Sequence, residues 1–251
     1  MMKKLLLGFL ILLSYIGISG CNSGKEMKVL IYTKNGEGYV HDNIAASVAA
    51  MEKICASEVI STEVSDDPGV FTPENLGRFS ALIFANTNNE GFDTEAQKKA
   101  FQDYIRGGGG FMAIHSSNAT ERDWPWYRAM VGGKFLRHPP HQEFDVLVTD
   151  PSHPSTAHLP ARWTVRDECY YSYHLNPDIH VLLSADMTTI EDEQKDEYPG
   201  EVFGTQLPIC WCHEFEGGRQ WYTALGHDIP FYEDPLFVEH LRGGLIWVLD
   251  K

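Results

Sequence analysis

The chain has 251 residues and a formal net charge of −15 at pH 7, from 35 acidic and 20 basic side chains. This excess of negative charge argues against binding to nucleic acid or to anionic lipid headgroups, because both would repel it. A neutral or cationic small ligand is compatible with it. Once an N-terminal targeting segment is set aside, about 225 residues are left, enough for one α/β domain with a full core.

The N-terminus is typical of a bacterial lipoprotein signal peptide. Two lysines precede an apolar run at residues 5–18, which is shorter than the roughly 18–20 residues needed to span a membrane. Ser19, Gly20 and Cys21 resemble a lipobox, which predicts cleavage before Cys21 and lipidation of that cysteine. We expect a signal peptide at 1–20, a tether at 21–27 and a folded domain at 28–251, anchored to the envelope on its periplasmic or outer-membrane face. A transmembrane anchor is the alternative.

The first half of the domain alternates strands with helices. Apolar runs predict strands at 28–33, 58–64, 81–85 and 111–114. Helical spacing of apolar residues predicts a helix at 41–56, and a capping box at Thr94 and Gln97 opens another that the glycines at 107–110 end. This alternation predicts a three-layer, doubly wound α/β fold of the flavodoxin-like kind, with a mostly parallel sheet.

The second half has a different pattern. A short helix is predicted at 124–131, followed by strands at 144–149, 163–165, 181–184, 208–215 and 220–225. Several of these strands lie close enough in sequence to pair as antiparallel neighbours or to extend the sheet. A closing helix is expected at 235–249, where two glycines indicate close packing on the sheet. The fold class is therefore α/β with added strands in the C-terminal half.

Three histidines follow predicted strands. His115 comes directly after the strand at 111–114, His41 opens the helix after the first strand, and His227 follows the strand at 220–225. Ligands in open α/β sheets bind at the carboxyl ends of the strands. We therefore expect the three imidazoles to share one pocket, although a single histidine at such a place more often has a structural role.

Two further segments supply polar groups for this pocket. Asp167 and Glu168 are adjacent, and neighbouring side chains of an extended segment face opposite sides, so only one can enter a given pocket. We expect it to be Glu168, with Tyr170 on the same face, where the carboxylate would orient an imidazole or act as an acid or base. A surface charge is the alternative. His138 lies in a loop stiffened by two prolines and is expected to line the pocket.

The expected site has two parts. The predicted catalytic residues are His41, His115, Glu168 and His227. The predicted substrate contacts are His138, Trp124, Trp126, Tyr170 and Asp228. Aromatic faces such as those of the two tryptophans can stack on sugar rings, but they fill protein cores more often.

Cysteine chemistry is not expected. Cys55, Cys169, Cys210 and Cys212 are interpreted as buried and mostly free, and none of them follows the strand at 111–114. Cys210, Cys212 and His213 hint at a metal, but no second cysteine pair completes a zinc site. The chain also has no phosphate loop and no dinucleotide fingerprint.

Several motifs, taken in order, resemble the ThuA-like family, which is named for trehalose utilisation. They are Gly38–His41, Gly109–His115, Gly132–Phe135 with His138-Pro139, His153-Pro154, Asp167-Glu168-x-Tyr170, Pro208-x-x-Trp211 and Ala224–His227. The resemblance covers nearly all of the mature region and implies a class I glutamine amidotransferase-like fold. In amidotransferases the turn occupied here by His115 carries a cysteine nucleophile. The resemblance also implies a role in carbohydrate catabolism, on glucosides or their 3-keto derivatives.

These observations predict an envelope lipoprotein that acts on a small carbohydrate. A keto group acidifies the neighbouring C–H, so an imidazole–carboxylate pair could move a proton in an isomerisation, elimination or hydrolysis. His115 or Glu168 would be the base, and His227 or His41 the acid or oxyanion partner. A divalent metal held by some of the histidines is another way to polarise the carbonyl. A non-catalytic sugar-binding lipoprotein is the alternative, and a cysteine-dependent amidotransferase is not expected.

Overall fold

The computed structural model describes residues 27–194 and 204–250. Its strands are β1 (Lys28–Tyr32), β2 (Ser61–Ser65), β3 (Ala81–Ala85), β4 (Gly110–Ile114), β5 (Lys134–Arg137), β6 (Gln142–Val148), β7 (Arg162–Asp167), β8 (Tyr171–Tyr173), β9 (His180–Asp186), β10 (Gln206–Phe215) and β11 (Gly218–Thr223). Its α-helices are α1 (Ile44–Ser57), α2 (Pro73–Leu76), α3 (Glu95–Arg106), α4 (Pro125–Val131) and α5 (Pro235–Val248).

In the described ranges, nine strands form one sheet in the order β2-β1-β3-β4-β11-β10-β9-β6-β7. The pairs from β2 to β11 are parallel, whereas those from β11 to β7 are antiparallel. β5 and β8 form a separate antiparallel pair. A mostly parallel sheet with added strands in the C-terminal half is therefore confirmed, and the added strands continue the same sheet.

Helices cover both faces of the parallel half. Trp221 of β11 lies beside Met112 of β4, so both side chains share one face, and an added Cβ on Gly244 of α5 would lie 2.6 Å from the Trp221 ring. Phe111 faces the opposite side, where its ring lies 5.5 Å from that of Phe101 on α3. The sheet is therefore the middle of three layers, and close packing explains the glycine in α5.

Most predicted elements are present with small shifts at their ends. The capping box of α3 forms through Thr94 and Gln97. The predicted helix at 41–56 begins later, at Ile44, so His41 lies in the preceding loop rather than in α1. The sequence did not predict α2, β5 or β8, which are three or four residues long and too short to show a periodic pattern.

None of the helices in the described residues is long and apolar enough to cross a membrane.

The predicted signal peptide and Cys21 lie outside the described residues.

A buried histidine in α5 makes stability depend on pH. His240 is fully buried, its Nδ1 donates to the Ser155 carbonyl at 2.7 Å, and its Nε2 lies 3.2 Å from the Thr223 hydroxyl. Burial lowers the pKa of His240 to about 3, whereas a histidine in the unfolded chain titrates near its ordinary value of about 6.5. As the pH falls below that value, the unfolded chain binds a proton that the native state does not. Stability is therefore lost as the pH falls from neutral toward the native pKa.

We expect the free energy of unfolding to decrease between pH 7 and pH 5, and His240→Gln to reduce that decrease. Each such histidine contributes at most about 1.4 kcal/mol per pH unit. Denaturant titrations at the two pH values measure the slope independently of any overall loss of stability in the variant. His174→Gln, at an exposed position, is the matched control. An unchanged slope in His240→Gln would show that other groups cause the acid sensitivity.

Candidate functional site

The site is centred on the turn after β4. His115 has a φ of 51°, in the left-handed region that non-glycine residues seldom adopt. Its ring is fully buried, and Nδ1 lies 2.7 Å from the Ala224 carbonyl oxygen. A carbonyl only accepts hydrogen bonds, so Nδ1 carries the proton and Nε2 keeps its lone pair. Nε2 is buried without a hydrogen-bond partner in the described part of the chain.

The other two predicted histidines reach the same place from separate loops. The ring centroid of His41 lies 4.8 Å from that of His115 and 5.5 Å from that of His227. His115 and His227 are also 5.5 Å apart. The structure therefore brings the three imidazoles together beyond the carboxyl ends of β1, β4 and β11.

Glu168 connects this cluster. It directly follows β7, and its carboxylate oxygens lie 3.1 Å from His227 Nδ1, 3.5 Å from His138 Nε2 and 3.7 Å from His115 Nε2. Burial opposes its ionisation, but the close contact with His227 and the charges of the neighbouring histidines outweigh burial and bring the pKa of Glu168 to about 2. Glu168 is therefore a carboxylate at neutral pH.

The imidazoles differ in their protonation. Burial, reinforced by the charge of His227, lowers the pKa of His41 to about 4. Burial also lowers the pKa of His115 well below the ordinary value. The Glu168 carboxylate, 3.1 Å from His227 Nδ1, has the opposite effect and raises the pKa of His227. Near neutral pH the site therefore holds two neutral imidazoles, one carboxylate and one histidine, His227, that readily carries a proton.

A second carboxylate, that of Asp167, holds the backbone of the site in place. Asp167 is fully buried, and it accepts backbone hydrogen bonds from Glu168 at 2.7 Å, Gly226 at 2.7 Å and His227 at 3.1 Å. Burial raises its pKa to about 7, although these three donors favour the ionised form. The Asn43 side chain donates to the Gly226 and His227 carbonyls at 2.6 and 2.8 Å. Both residues therefore fix the loop that carries His227.

An open cleft of about 320 Å³ gives access to the cluster. His41, Glu168 and His227 line it, as do the predicted contacts His138 and Tyr170. The Tyr170 hydroxyl is 3.3 Å from His41 Nε2, and its ring lies 4.3 Å from that of His115. His115 itself exposes no surface to the cleft. It can therefore position or ligate but does not face a substrate directly.

The cleft has walls that the sequence did not predict. They are Tyr39, Asn88, Ser116, Ala119, Arg122 and Phe135. Tyr39 stands at the entrance with 62% of its surface exposed, and its ring packs edge-on against that of His41 at 4.8 Å. The motif Gly38–His41 was the available signal for Tyr39, because it places an aromatic residue two positions before a site histidine.

The two tryptophans do not line this cleft. Trp124 lines a neighbouring cleft, where Lys98 Nζ lies 5.2 Å from the centre of its ring. Trp126 donates to Glu216 at 3.0 Å and packs against Phe215. Helix α4 directs both indoles toward the face covered by α3, so the expected sugar platform is not at the histidine cluster.

Asp228 also lies beside the cleft rather than in its wall. Its carboxylate is 2.9 Å from His141 Nε2, and the His141 ring is 5.6 Å from that of His227. Asp228 is therefore placed to orient His141 at the rim.

The cysteines do not face the cleft in the described residues. Cys55, Cys169, Cys210 and Cys212 are buried and free, as expected. Burial raises the pKa of Cys55 and of Cys212 to about 12 in each case, so neither forms a thiolate at neutral pH. Within the described ranges, the cleft has no cysteine in its lining.

The cluster also has the composition of a metal site. His41, His115, Glu168 and His227 each offer one donor atom, and these atoms all lie within 4.8 Å of one another. A tetrahedral ion with bonds of about 2.1 Å separates its donors by about 3.4 Å, so a modest inward shift would complete the shell. Histidine nitrogens with a carboxylate suit zinc and other divalent transition metals. The Ala224 carbonyl that fixes the His115 tautomer is the kind of partner that metal-binding histidines use.

Comparison with known proteins places the domain. Residues 28–248 match the profile of the ThuA family, described as trehalose utilisation. A ThuA-like protein from Bacteroides uniformis has a TM-score of 0.70 at 24% identity, over 91% of this chain and 94% of that one. A ThuA-like protein from Parabacteroides merdae has a TM-score of 0.68 at 18% identity, over 90% of each chain.

The wider fold is that of the amidotransferases. A glutamine amidotransferase from Thermotoga maritima has a TM-score of 0.51 at 12% identity, over 90% of this chain and 99% of that one. None of the curated proteins matches the chain. The resemblance predicted from the motifs is thus confirmed over nearly the whole domain. The chain belongs to the ThuA family, whose description places it in carbohydrate metabolism, and is built on a glutamine amidotransferase-like fold.

Proposed function

We propose that this protein is an enzyme of carbohydrate catabolism that moves protons on a glucoside or a 3-keto-glucoside. The observation that carries the proposal is the Glu168 carboxylate, which lies 3.1 Å from His227 and within 3.7 Å of two further imidazoles. All but one of these four side chains line a single open cleft. Family membership supports a carbohydrate as the ligand.

His227 is the proton carrier in this proposal. A general acid or base works best when its pKa lies near the working pH. The pKa of His227 is raised by Glu168, whereas Glu168 and His115 both have lowered pKa values and are weaker bases in the free protein. Glu168 would hold the His227 ring in place and stabilise its charged form, and Asp167 would fix the backbone of both residues.

A keto group on the sugar makes this chemistry accessible. The C–H beside a carbonyl is acidic, so neutral His227 takes that proton and the electron pair moves onto the carbonyl oxygen. Isomerisation follows if the hydroxyl on the deprotonated carbon passes its proton to the enolate oxygen and becomes the new carbonyl, while His227 returns its proton to the former carbonyl carbon. Elimination follows if the substituent on the carbon next to the deprotonated one leaves and takes the proton from His227. Tyr170 and His138, which line the same cleft, would hold the sugar hydroxyls.

A divalent metal is the second candidate for activating the carbonyl, and the donor atoms of His41, His115, Glu168 and His227 favour it. His41 Nδ1 and His115 Nε2 are buried without a hydrogen-bond partner among the described residues. An ion bound there would supply a Lewis acid that polarises the carbonyl oxygen.

One set of measurements tests the enzyme and the metal together. We expect the protein, incubated with Zn²⁺ or Mn²⁺ and desalted, to retain about one ion per molecule and to melt at a higher temperature than after chelation. His115→Ala should lose the ion and the turnover of glucosides or 3-keto-glucosides together. His174→Gln, at an exposed position, is the control.

The other outcomes separate the alternatives. Full turnover after complete chelation would contradict the metal and leave proton transfer by the side chains alone. Sugar binding without turnover, in protein with or without metal, would contradict the enzyme and favour a sugar-binding protein. A lower melting temperature of His115→Ala, with normal turnover per folded molecule, would make His115 a core residue.

We also propose that the protein is a lipoprotein of the bacterial envelope, anchored through Cys21. The support is the order of lysines, apolar run and Ser19-Gly20-Cys21 in the sequence. Several acyl chains would make this anchoring stable.

A further inference from the structure

Arg122 is a cation in the wall of the cleft. It lies in the segment between β4 and α4, and its guanidinium carbon is 5.4 Å from the centre of the Phe135 ring. One terminal nitrogen donates to the Asn88 side-chain oxygen at 3.3 Å. Arg122, Phe135 and Asn88 line the same cleft as Glu168 and His227. The guanidinium is thus held in place by a ring and an amide, which are both neutral.

The carboxylates on either side of Arg122 in sequence pair with lysines instead. Glu121 lies 2.8 Å from Lys98 Nζ, and Asp123 lies 3.6 Å from Lys134 Nζ. Across residues 27–194 and 204–250, no carboxylate forms an ion pair with Arg122. Its Nε is buried and has no hydrogen-bond partner there. The chain has 35 acidic and 20 basic residues, so most arginines have a carboxylate available as a partner. Because Arg122 forms no such ion pair in the described residues, its guanidinium can bind the anionic group of a ligand.

The charge of the cleft supports an anionic ligand group. Glu168 is its ionised carboxylate, and that group already contacts His115, His138 and His227. The neighbouring cleft, which Arg122 also borders, is lined by one further cation, Lys98, and by four carboxylates, those of Glu90, Glu95, Glu121 and Asp123. The carboxylates outnumber the cations there and would repel an anion. An anion that pairs with Arg122 is therefore favoured on the side of the histidine cluster.

We propose that Arg122 binds a carboxylate of the substrate, so that the sugar is a uronic acid derivative. The planar guanidinium offers two parallel N–H donors that match the two oxygens of a carboxylate. The inference rests on the proposed function, because a carboxylate neutralised by Arg122 acidifies the C–H next to it in the way that a keto group does. His227 then removes the proton from the carbon beside the bound carboxylate, so that the C–H electron pair forms a carbon–carbon double bond and a C–O electron pair moves onto the carboxylate oxygen. When that pair returns, the substituent on the next carbon leaves and takes the proton from His227, which completes an elimination.

The test compares two ligands that differ only at C6, methyl glucoside and methyl glucuronide. We expect calorimetric titration of the wild-type protein to give an affinity for the glucuronide about 10- to 100-fold above that for the glucoside, as for a hydrogen bond to a charged group. Arg122→Gln should remove that preference, so that the two sugars bind with similar affinity. Arg122→Lys should restore part of it. Arg78→Gln, which removes a cation paired with Glu63 on β2, is the matched control.

The outcomes separate this inference from the proposed function. Equal affinities for the two sugars in the wild type, or an unchanged preference in a folded Arg122→Gln, would overturn the role of Arg122. If the glucoside is turned over in that case, the proposed function still stands. If neither methyl sugar binds, the assignment of a uronate substrate is wrong. Absence of turnover on the 3-keto-glucosides is a separate result, and it would contradict the proposed function. If Arg122→Gln does not fold, Arg122→Lys provides the test. A preference for the glucuronide below that of the wild type would support the role of Arg122, and an unchanged preference would overturn it.

Discussion

Replacing Glu168 with glutamine is expected to lower kcat by about 10²- to 10⁴-fold and to leave the fold intact. Glutamine has the shape of glutamate but no charge, so His227 would lose the partner that raises its pKa. The cluster would also lose the carboxylate that it offers to an ion. Steady-state kinetics on the 3-keto-glucoside or uronate substrate, together with a thermal melt, measure the two effects separately.

The pH profile gives a readout that a structural defect would not produce. Because Glu168 raises the pKa of His227, the limb of the kcat/KM profile that reports His227 should move to lower pH in Glu168→Gln. Glu63→Gln is the matched control, since that carboxylate pairs with Lys28 at the far edge of the sheet. A variant that retains full kcat and an unshifted limb would remove Glu168 from the mechanism.

Gly132→Ala is expected to lower the free energy of unfolding by about 2–5 kcal/mol. Gly132 ends α4 with a φ of 96°, which strains any residue that has a Cβ. That Cβ would also lie 2.2 Å from Nε1 of Trp211, whose indole is buried and donates to the Val131 carbonyl. Trp211 cannot withdraw without breaking this hydrogen bond.

Chemical unfolding followed by circular dichroism measures this loss. The matched control is Gly204→Ala, because Gly204 also has a positive φ, of 64°, but no heavy atom within 4 Å of an added Cβ. It should show only the backbone strain, roughly 1–2 kcal/mol. Equal losses in the two variants would show that the contact with Trp211 contributes nothing.

The sequence was a good guide where regular structure decides the position of a side chain. His41, His115 and His227 follow parallel strands, and the ends of such strands meet at one edge of the sheet. Glu168 was separated correctly from Asp167 because side chains alternate along an extended segment. These arguments need only the local pattern and the fold class.

The sequence was a poor guide where contacts between distant segments decide. Asp167 stabilises the site through backbone N–H groups that are 59 and 60 residues away, and nothing near it in sequence indicates this. Arg122 and Phe135 enter the cleft from irregular or very short segments that have no periodic pattern. Trp124 and Trp126 are close to His115 along the chain, but both indoles point away from the cleft.

The hydrogen bonds of Asp167 connect the antiparallel extension of the sheet to its parallel half. Its strand, β7, is at the outer edge of the antiparallel extension, whereas the loop of His227 follows β11 in the parallel half. Contacts between segments so distant in sequence form late, because the chain must first close long loops. A partly folded molecule with only the parallel half in place would hold His41, His115 and the β11 loop but would lack Glu168. Recovery of activity during refolding would therefore report when the antiparallel extension docks on the parallel half. Local opening of that extension would remove Glu168 from the site and stop activity while the parallel half stays folded.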